Sequence, residues 1–227
     1  RCLDASLLRA DFGYTLDTHG HPGIAVFKAP GKNQIEVRIH GKAAHAGIEP
    51  EAGKNAITAA GSVLTAVPQG RIDEETTCNV GKITGGTATN VVAEFCTVNF
   101  ESRSRDKAKL DAITQRIVDA VNGAIAGTGC TVEIAVNKDY DPFELPKDAL
   151  PIQYLHRAAG KLGLPVEILE EGGGSDANHF NTYGVPTTVL AVGMTDCHTK
   201  DESIREQDLY DAAELALAIV REVAENA

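Results

Sequence analysis

The sequence predicts an α/β protein in which a two-layer block, ordered strand-helix-strand-strand-helix-strand, interrupts a second α/β segment. Two observations carry this. Between residues 34 and 140, period-2 alternation and helical stripes succeed one another in that order. The flanking segments, 1–33 and 141–227, follow a different plan, and Thr187 to Val192 forms a continuous apolar run of the kind expected of a strand covered on both faces.

In chain order, Gly13 to Asp17 and Ile24 to Phe27 read as two short strands around the turn Thr18 to Gly23. Gln34 to His40 places Ile35, Val37 and Ile39 on one face and Glu36, Arg38 and His40 on the other, as a half-buried strand requires. Residues 50–67 switch period, with a stripe of Ile57, Ala60, Leu64 and Val67 after Pro50, which suits a first helical turn. Thr76 to Ile83 and Val91 to Glu101 read as strands joined by Thr84-Gly-Gly-Thr-Ala-Thr-Asn90. Leu110, Ile113, Ile117, Val121 and Ile125 mark a second helix, from near Ser104 to Gly127 or Gly129, and Cys130 to Val136 alternates as a last strand. That order is the split β-α-β of a ferredoxin-like sandwich, a sheet covered on one face by two helices.

Beyond residue 140, Ile152, Leu155, Ala159 and Leu162 predict a helix ending near Gly163, and Val166 to Leu169 a short strand. A glycine run, Glu170-Glu-Gly-Gly-Gly-Ser-Asp176-Ala-Asn, leads into a helix through Phe180. Cys197 to Glu202 forms a loop past the apolar strand's C-terminal end, the usual place for a site in an open α/β sheet. Leu209, Ala213, Leu217, Val220 and Ala224 are read as the buried stripe of a final helix.

Composition narrows the function classes. The net charge is −11, from 32 acidic and 21 basic residues among 227, with no basic cluster, which argues against nucleic acid or an anionic membrane as partner. No apolar run is long enough to cross a bilayer. Arg1-Cys2-Leu3-Asp4 does not open a secretory signal, and an arginine at position 1 suggests processing or a longer parent protein. Cys2, Cys78, Cys96, Cys130 and Cys197 show no CxxC spacing, and three lie in strand patterns as buried thiols. The cytoplasm is the expected compartment.

Several polar residues are candidates for chemistry, each with a plain structural alternative. Asp17, His19 and His21 share a face of an extended segment at metal-ligand spacing, or belong to a solvated turn. His45, between small residues in Gly41-Lys-Ala-Ala-His45-Ala-Gly47, either reaches a cleft or caps a strand-to-helix junction. Asn90 either exposes its amide or forms the turn. Arg103 ends Glu101-Ser-Arg103 and suits bidentate capture of a carboxylate, or pairs with Glu101 or Asp106. The glycine run lacks the lysine of a P-loop, so close approach to a substrate or another chain segment explains it better than a nucleotide. Adjacent Cys197 and His198 lack the geometry expected of a thiol nucleophile and its base.

Taken as an ordered set, G-K-A-A-H-A-G, G-G-T-A-T-N-V-V, E-S-R-S-R-D, G-G-G-S-D-A-N and C-H-T-K-D-E resemble the dizinc metallopeptidase family of peptidase T, glutamate carboxypeptidases and aminoacylases, peptidase T-like members above all. The resemblance covers essentially the whole chain. It implies a zinc-exopeptidase catalytic domain in two parts, 1–33 and 141–227, with residues 34–140 as a lid and dimerisation domain. Asp17 and His198 then match metal ligands, one for each of two zincs per intact subunit, with cobalt or manganese as alternatives. His45 matches the histidine that polarises the scissile carbonyl in the partner subunit's site. Asn90 and Arg103 match substrate-holding positions, and Gly173, Gly174 and Asp176 the glycine loop beside the substrate. His19 and His21 have no counterpart.

The same resemblance implies a short peptide as substrate and a homodimer through residues 34–140. It also exposes a shortage. The family's first histidine, bridging aspartate, general-base glutamate and adjoining glutamate precede the segment aligned with Arg1, and two ligands cannot hold two zincs. The expectation is an upstream segment in the intact enzyme, this chain alone being inactive. Glu171-Gly172 and Asp201 replace an arginine and a histidine of peptidase T proper, leaving an N-acyl amino acid hydrolase, dipeptidase or carboxypeptidase open beside tripeptide hydrolysis. A non-catalytic dimerisation or binding fragment is the alternative outside the enzymes.

Overall fold

A computed structural model of the chain describes residues 3–226; Cys2 lies outside the described residues. The chain divides into two compact units, Gly31–Tyr140 and a second drawn from Arg1–Pro30 and Asp141–Ala227. The first begins three residues before the expected residue 34, because its first strand starts at Gly31.

That unit contains β3 (Gly31–His40), α1 (Ala56–Ala66), β4 (Gly70–Arg71), β5 (Thr76–Gly85), β6 (Phe95–Ser104), α2 (Lys107–Ile125) and β7 (Thr131–Tyr140). The sheet runs β4-β5-β6-β3-β7, every neighbour antiparallel. It is the anticipated sandwich with one short edge strand added. Ile35, Val37 and Ile39 face the helices with Val98 and Phe100, and pack against Ile113, Ile117 and Val121 of α2. Period-2 alternation in the strands and period 3.6 in α2 thus converge on one core. Asp106 caps α2 by accepting from the Lys109 N–H at 2.8 Å.

Three local readings change. α1 starts at Ala56, where the Asn55 side chain caps the Ile57 and Thr58 N–H groups, while Pro50–Ala52 is a separate 3-10 turn. Its buried face is Ala56, Ala59, Ala60 and Val63, and Ile57 is 45% exposed. Small alanines let this helix lie close against its neighbours, so the largest side chain does not mark its inner face. β6 begins at Phe95 rather than Val91; Val91 forms only an isolated bridge to His45. Cys78 and Cys96 are buried, whereas Cys130 precedes β7 and is half-buried.

The other unit is mixed α/β. Its strands are β1 (Gly13–His19), β2 (Ile24–Ala29), β8 (Phe143–Glu144), β9 (Glu167–Glu170), β10 (Thr187–Thr195) and β11 (Ser203–Ile204), and its helices α3 (Leu150–Leu162), α4 (Asp176–Thr182) and α5 (Glu206–Asn226). The sheet order is β1-β10-β2-β8, with β9 also on β2 and β11 on β10. β1 runs parallel to β10 and β2 antiparallel to it. Successive residues of β10 point to opposite faces. Leu190 joins Ile152, Leu155, Leu215 and Ile219 of α3 and α5, whereas Val189 joins Val26, Phe143 and Ala177. That double cover explains the apolar run read in the sequence. Gly163 ends α3 in the left-handed conformation at φ 68°.

α5 buries Asp208, Ala212, Leu215, Ile219 and Glu222, while Leu209, Leu217 and Val220 are exposed. The expected stripe therefore lies on the wrong face. No helix among the described residues is long and apolar enough to cross a membrane.

Candidate functional site

Parallel pairing of β1 and β10 brings the ends of both strands to one end of the sheet. The register reads Leu16 to Leu190, Thr18 to Ala191 and His19 to Met194, with breaks on either side of Thr18. Asp17 sits in the first break, unmatched in the ladder; such irregularities re-aim a side chain. His198 follows β10 by three residues in a tight loop. Its φ of 65° and the φ of 52° at Asp196 place both in the left-handed region, sparsely used by residues other than glycine. Glu202 Oε2 accepts from the His198 N–H at 2.9 Å, and the Asp196 carbonyl accepts from Thr199 Oγ1 at 2.7 Å. These bonds hold the loop in its uncommon shape.

Asp17 and His198 line one cavity of about 320 Å³, together with Thr18, His19, Glu171, Gly173, Gly174 and Glu202. Burial raises the Asp17 carboxyl above its ordinary pKa, the neighbouring Asp176 charge adds to the rise, and His198 opposes it. Five of the eight candidate positions therefore gather here: Asp17, His198, Gly173, Gly174 and Asp176. The glycine loop is fixed where it enters α4. Ser175 Oγ accepts from the Ala177 N–H at 3.2 Å, and Asn178 Oδ1 accepts from the Ser175 N–H at 3.0 Å, a reciprocal cap. The Asn178 amide nitrogen, fully buried, donates to the Pro30 and Asp141 carbonyls at 3.0 and 2.9 Å.

The other three candidates lie in the sandwich unit. His45 and Asn90 are on adjoining loops: the Ala46 N–H donates to the Asn90 carbonyl at 3.0 Å, and the Val92 N–H to the Ala44 carbonyl at 2.9 Å. Both side chains are exposed. The Gly47 N–H donates to His45 Nδ1 at 3.1 Å, which fixes the neutral imidazole as the Nε2–H tautomer, a hydrogen-bond donor. Arg103 is near the far end of β6 from Phe95, eight residues along the strand and so roughly 26 Å away at ~3.3 Å per residue. It is held in a fork by Glu101. The sandwich thus carries two separate polar sites, one at each end.

Metal fit can be judged from the donors. Asp17 offers an oxygen and His198 a nitrogen, and among the described residues no group of three or more His, Cys, Asp or Glu side chains is arranged to hold an ion. Zinc takes about three or four protein ligands, so the donors among the described residues do not by themselves complete a site. His19, Glu171 and Glu202 line the cavity without having been selected from the sequence. His19 shares its spacing with Asp17, a signal set aside because the resemblance offered no match; Glu171 and Glu202 lie in polar loops with no periodicity.

The α/β unit thus carries a cavity beside β10 and is interrupted in sequence by a two-helix sandwich. Residues 28–128 match the model of the peptidase dimerisation domain. Uncharacterized protein YqjE of Bacillus subtilis is 39% identical over 99% of this chain and 60% of its own length. The structure of aminopeptidase PepT from Bacillus cereus superposes with a TM-score of 0.85 at 38% identity, covering 98% of this chain and 60% of that one. A tripeptidase from Staphylococcus aureus gives a TM-score of 0.89 at 34% identity with the same coverage. The chain is thus similar to peptidases of the peptidase T kind along nearly its whole length, and spans about 60% of the length of these relatives.

Proposed function

We propose that this chain forms the greater part of a zinc-dependent exopeptidase of the peptidase T type, acting on short peptides. The observation carrying this reading is the shared cavity of Asp17, His198 and the glycine loop. Asp17 and His198 supply one metal donor each, and completing a pair of zincs requires donors beyond those arranged among the described residues. When bound, the metal provides an activated water for peptide hydrolysis; cobalt or manganese are alternatives to zinc. His45, held as a donor by Gly47, suits stabilisation of the developing oxyanion. Asn90 holds the substrate, Arg103 takes its carboxylate, and Gly173, Gly174 and Asp176 flank it. His45 and Asn90 serve the partner subunit of a cytoplasmic homodimer formed through residues 34–140. Light scattering that returned a monomer at micromolar concentration would count against that assembly.

A direct test uses the intact enzyme. Peptide release should be abolished by chelation and by Asp17→Ala or His198→Ala, and full activity in either variant removes the assignment. This chain alone should be inactive. The shortage of donors favours a second reading, a non-catalytic dimerisation or binding module; zinc analysis of the intact protein separates the two. Assaying di-, tri- and N-acyl substrates together distinguishes a tripeptidase from a dipeptidase, carboxypeptidase or N-acyl amino acid hydrolase.

A further inference from the structure

Glu171 is a cavity residue that the roles above leave without a purpose. Its carboxylate is held from several sides. Buried Thr18 donates from Oγ1 to Oε2 at 3.2 Å, and the Gly172 N–H donates to Oε1 at 2.8 Å. His19 Nδ1 lies 3.5 Å from Oε2. The side chain is only 26% exposed. A surface glutamate would sample many rotamers; this one is fixed in the wall of a cavity.

The space beside it is open. A Cβ added at Gly172 would meet nothing within 4 Å, and one at Gly173 would meet only the Glu171 side chain. Asp17, Glu171 and Glu202 all line the cavity, and among the described residues no lysine or arginine does. With Asp17 and His198 given over to the metal and Glu202 engaged by the His198 N–H, Glu171 would be the wall carboxylate left to meet an ammonium of the substrate. Glu171 shares the cavity with Asp17 and His198, so the cation it meets must lie within short reach of the scissile carbonyl. An α-ammonium lies next to that carbonyl; a lysine side chain carries its charge several bonds further out.

We propose that Glu171 is a specificity-determining residue that receives the α-ammonium group of the peptide, so that free amino termini are accepted and N-acylated ones refused. Thr18 and the Gly172 N–H are its positioning partners. The proposal rests on the peptidase reading and narrows it, setting N-acyl amino acid hydrolysis aside.

The test measures binding to the intact full-length protein by calorimetry, with leucinamide, N-acetyl-leucinamide and N-acetyl-lysinamide as probes. Leucinamide should bind at least about tenfold more tightly than either acetylated amide, since one charge-assisted contact is lost. Glu171→Gln, which keeps an acceptor for Thr18, should erase that preference, and Glu171→Asp should restore part of it. In parallel, Glu171→Gln should raise KM for a free tripeptide far more than it lowers kcat. Equal effects of Glu171→Gln on all three amides, no effect on any, or no measurable binding of leucinamide would each overturn the proposal. So would N-acetyl-lysinamide binding as well as leucinamide, which would mark a side-chain pocket instead. Glu171-dependent leucinamide binding without cleavage of any peptide would instead defeat the peptidase reading and leave the ammonium subsite standing.

Discussion

Arg103 grips Glu101 through two contacts, Nε to Oε1 at 2.8 Å and Nη2 to Oε2 at 3.2 Å. The two residues are neighbours on the same face of β6, and Lys32 approaches Glu101 from β3 at 3.4 Å. Burial acts to raise the Glu101 carboxyl pKa. The Arg103 hydrogen bond and charge, aided by Lys32, outweigh it and hold the pKa below the ordinary value of 4.5.

A carboxylate depressed in the folded state contributes stability that is complete above its unfolded pKa and lost as pH falls through the folded one. The denaturant midpoint should therefore fall more steeply below about pH 4.5 in the wild type than in Glu101→Gln. Equal slopes between pH 6 and 3 would show that the fork contributes nothing. In the intact enzyme the same substitution bears on the proposed role of Arg103. With its internal carboxylate neutralised, the guanidinium should bind a substrate carboxylate more tightly, lowering KM for peptides with a free C-terminus but not for their amides.

Asn178 ties the ends of the two segments that make up the α/β unit. Its single amide nitrogen serves the carbonyls of Pro30 and Asp141, and its oxygen serves the Ser175 N–H. Asn178→Ala would leave these groups buried without partners, at about 1–3 kcal/mol for each group not reached by water. A loss of about 2–4 kcal/mol in urea unfolding is expected, against about 1 kcal/mol for Ser175→Ala, which removes only the cap. A smaller loss for Asn178→Ala than for Ser175→Ala would refute the tie.

Thr114 lies inside the apolar stripe of α2, where a sequence pattern reads it as an interruption. It donates to the Leu110 carbonyl at 2.8 Å. Its oxygen therefore accepts from Asn33 Nδ2 at 3.0 Å and from Ser102 Oγ at 2.9 Å. Thr114→Val keeps the shape and strands two buried donors, for a predicted loss of about 1–3 kcal/mol. Thr114→Ser should retain most of the stability. If Val and Ser behave alike in thermal unfolding, the network is dispensable.

Much of the architecture was legible because single faces are buried in the sandwich. Ile35, Val37 and Ile39 alternate cleanly, and Leu110, Ile113, Ile117, Val121 and Ile125 all reach the core. Legibility failed where composition is apolar on every side or where small residues do the packing, as at Ile57. Asp17, His198 and the glycine loop, which the resemblance singles out, share one cavity. Glu171 and Glu202 are not singled out, because their place depends on Thr18 and His198, which are far away or meaningful only in the folded loop. No local pattern marks such a residue.

The last helix makes this failure measurable. From Leu209 to Ala224, α5 offers leucine, isoleucine, valine or alanine on nearly every side, so periodicity cannot choose its inner face. Packing against α3 and β10 chooses Leu215 and Ile219, and Val220, the next residue, is 64% exposed where Ile219 is 4%. Two adjacent truncations should therefore differ sharply. Ile219→Ala opens a cavity beside Leu155 and Leu190 and should lower stability by about 2–5 kcal/mol. Val220→Ala removes no packed atoms and should stay within about 0.5 kcal/mol of the parent chain. Urea titration of both variants of this chain decides the face, and a cost at Val220 matching that at Ile219 would rotate the helix back to the orientation its sequence suggested.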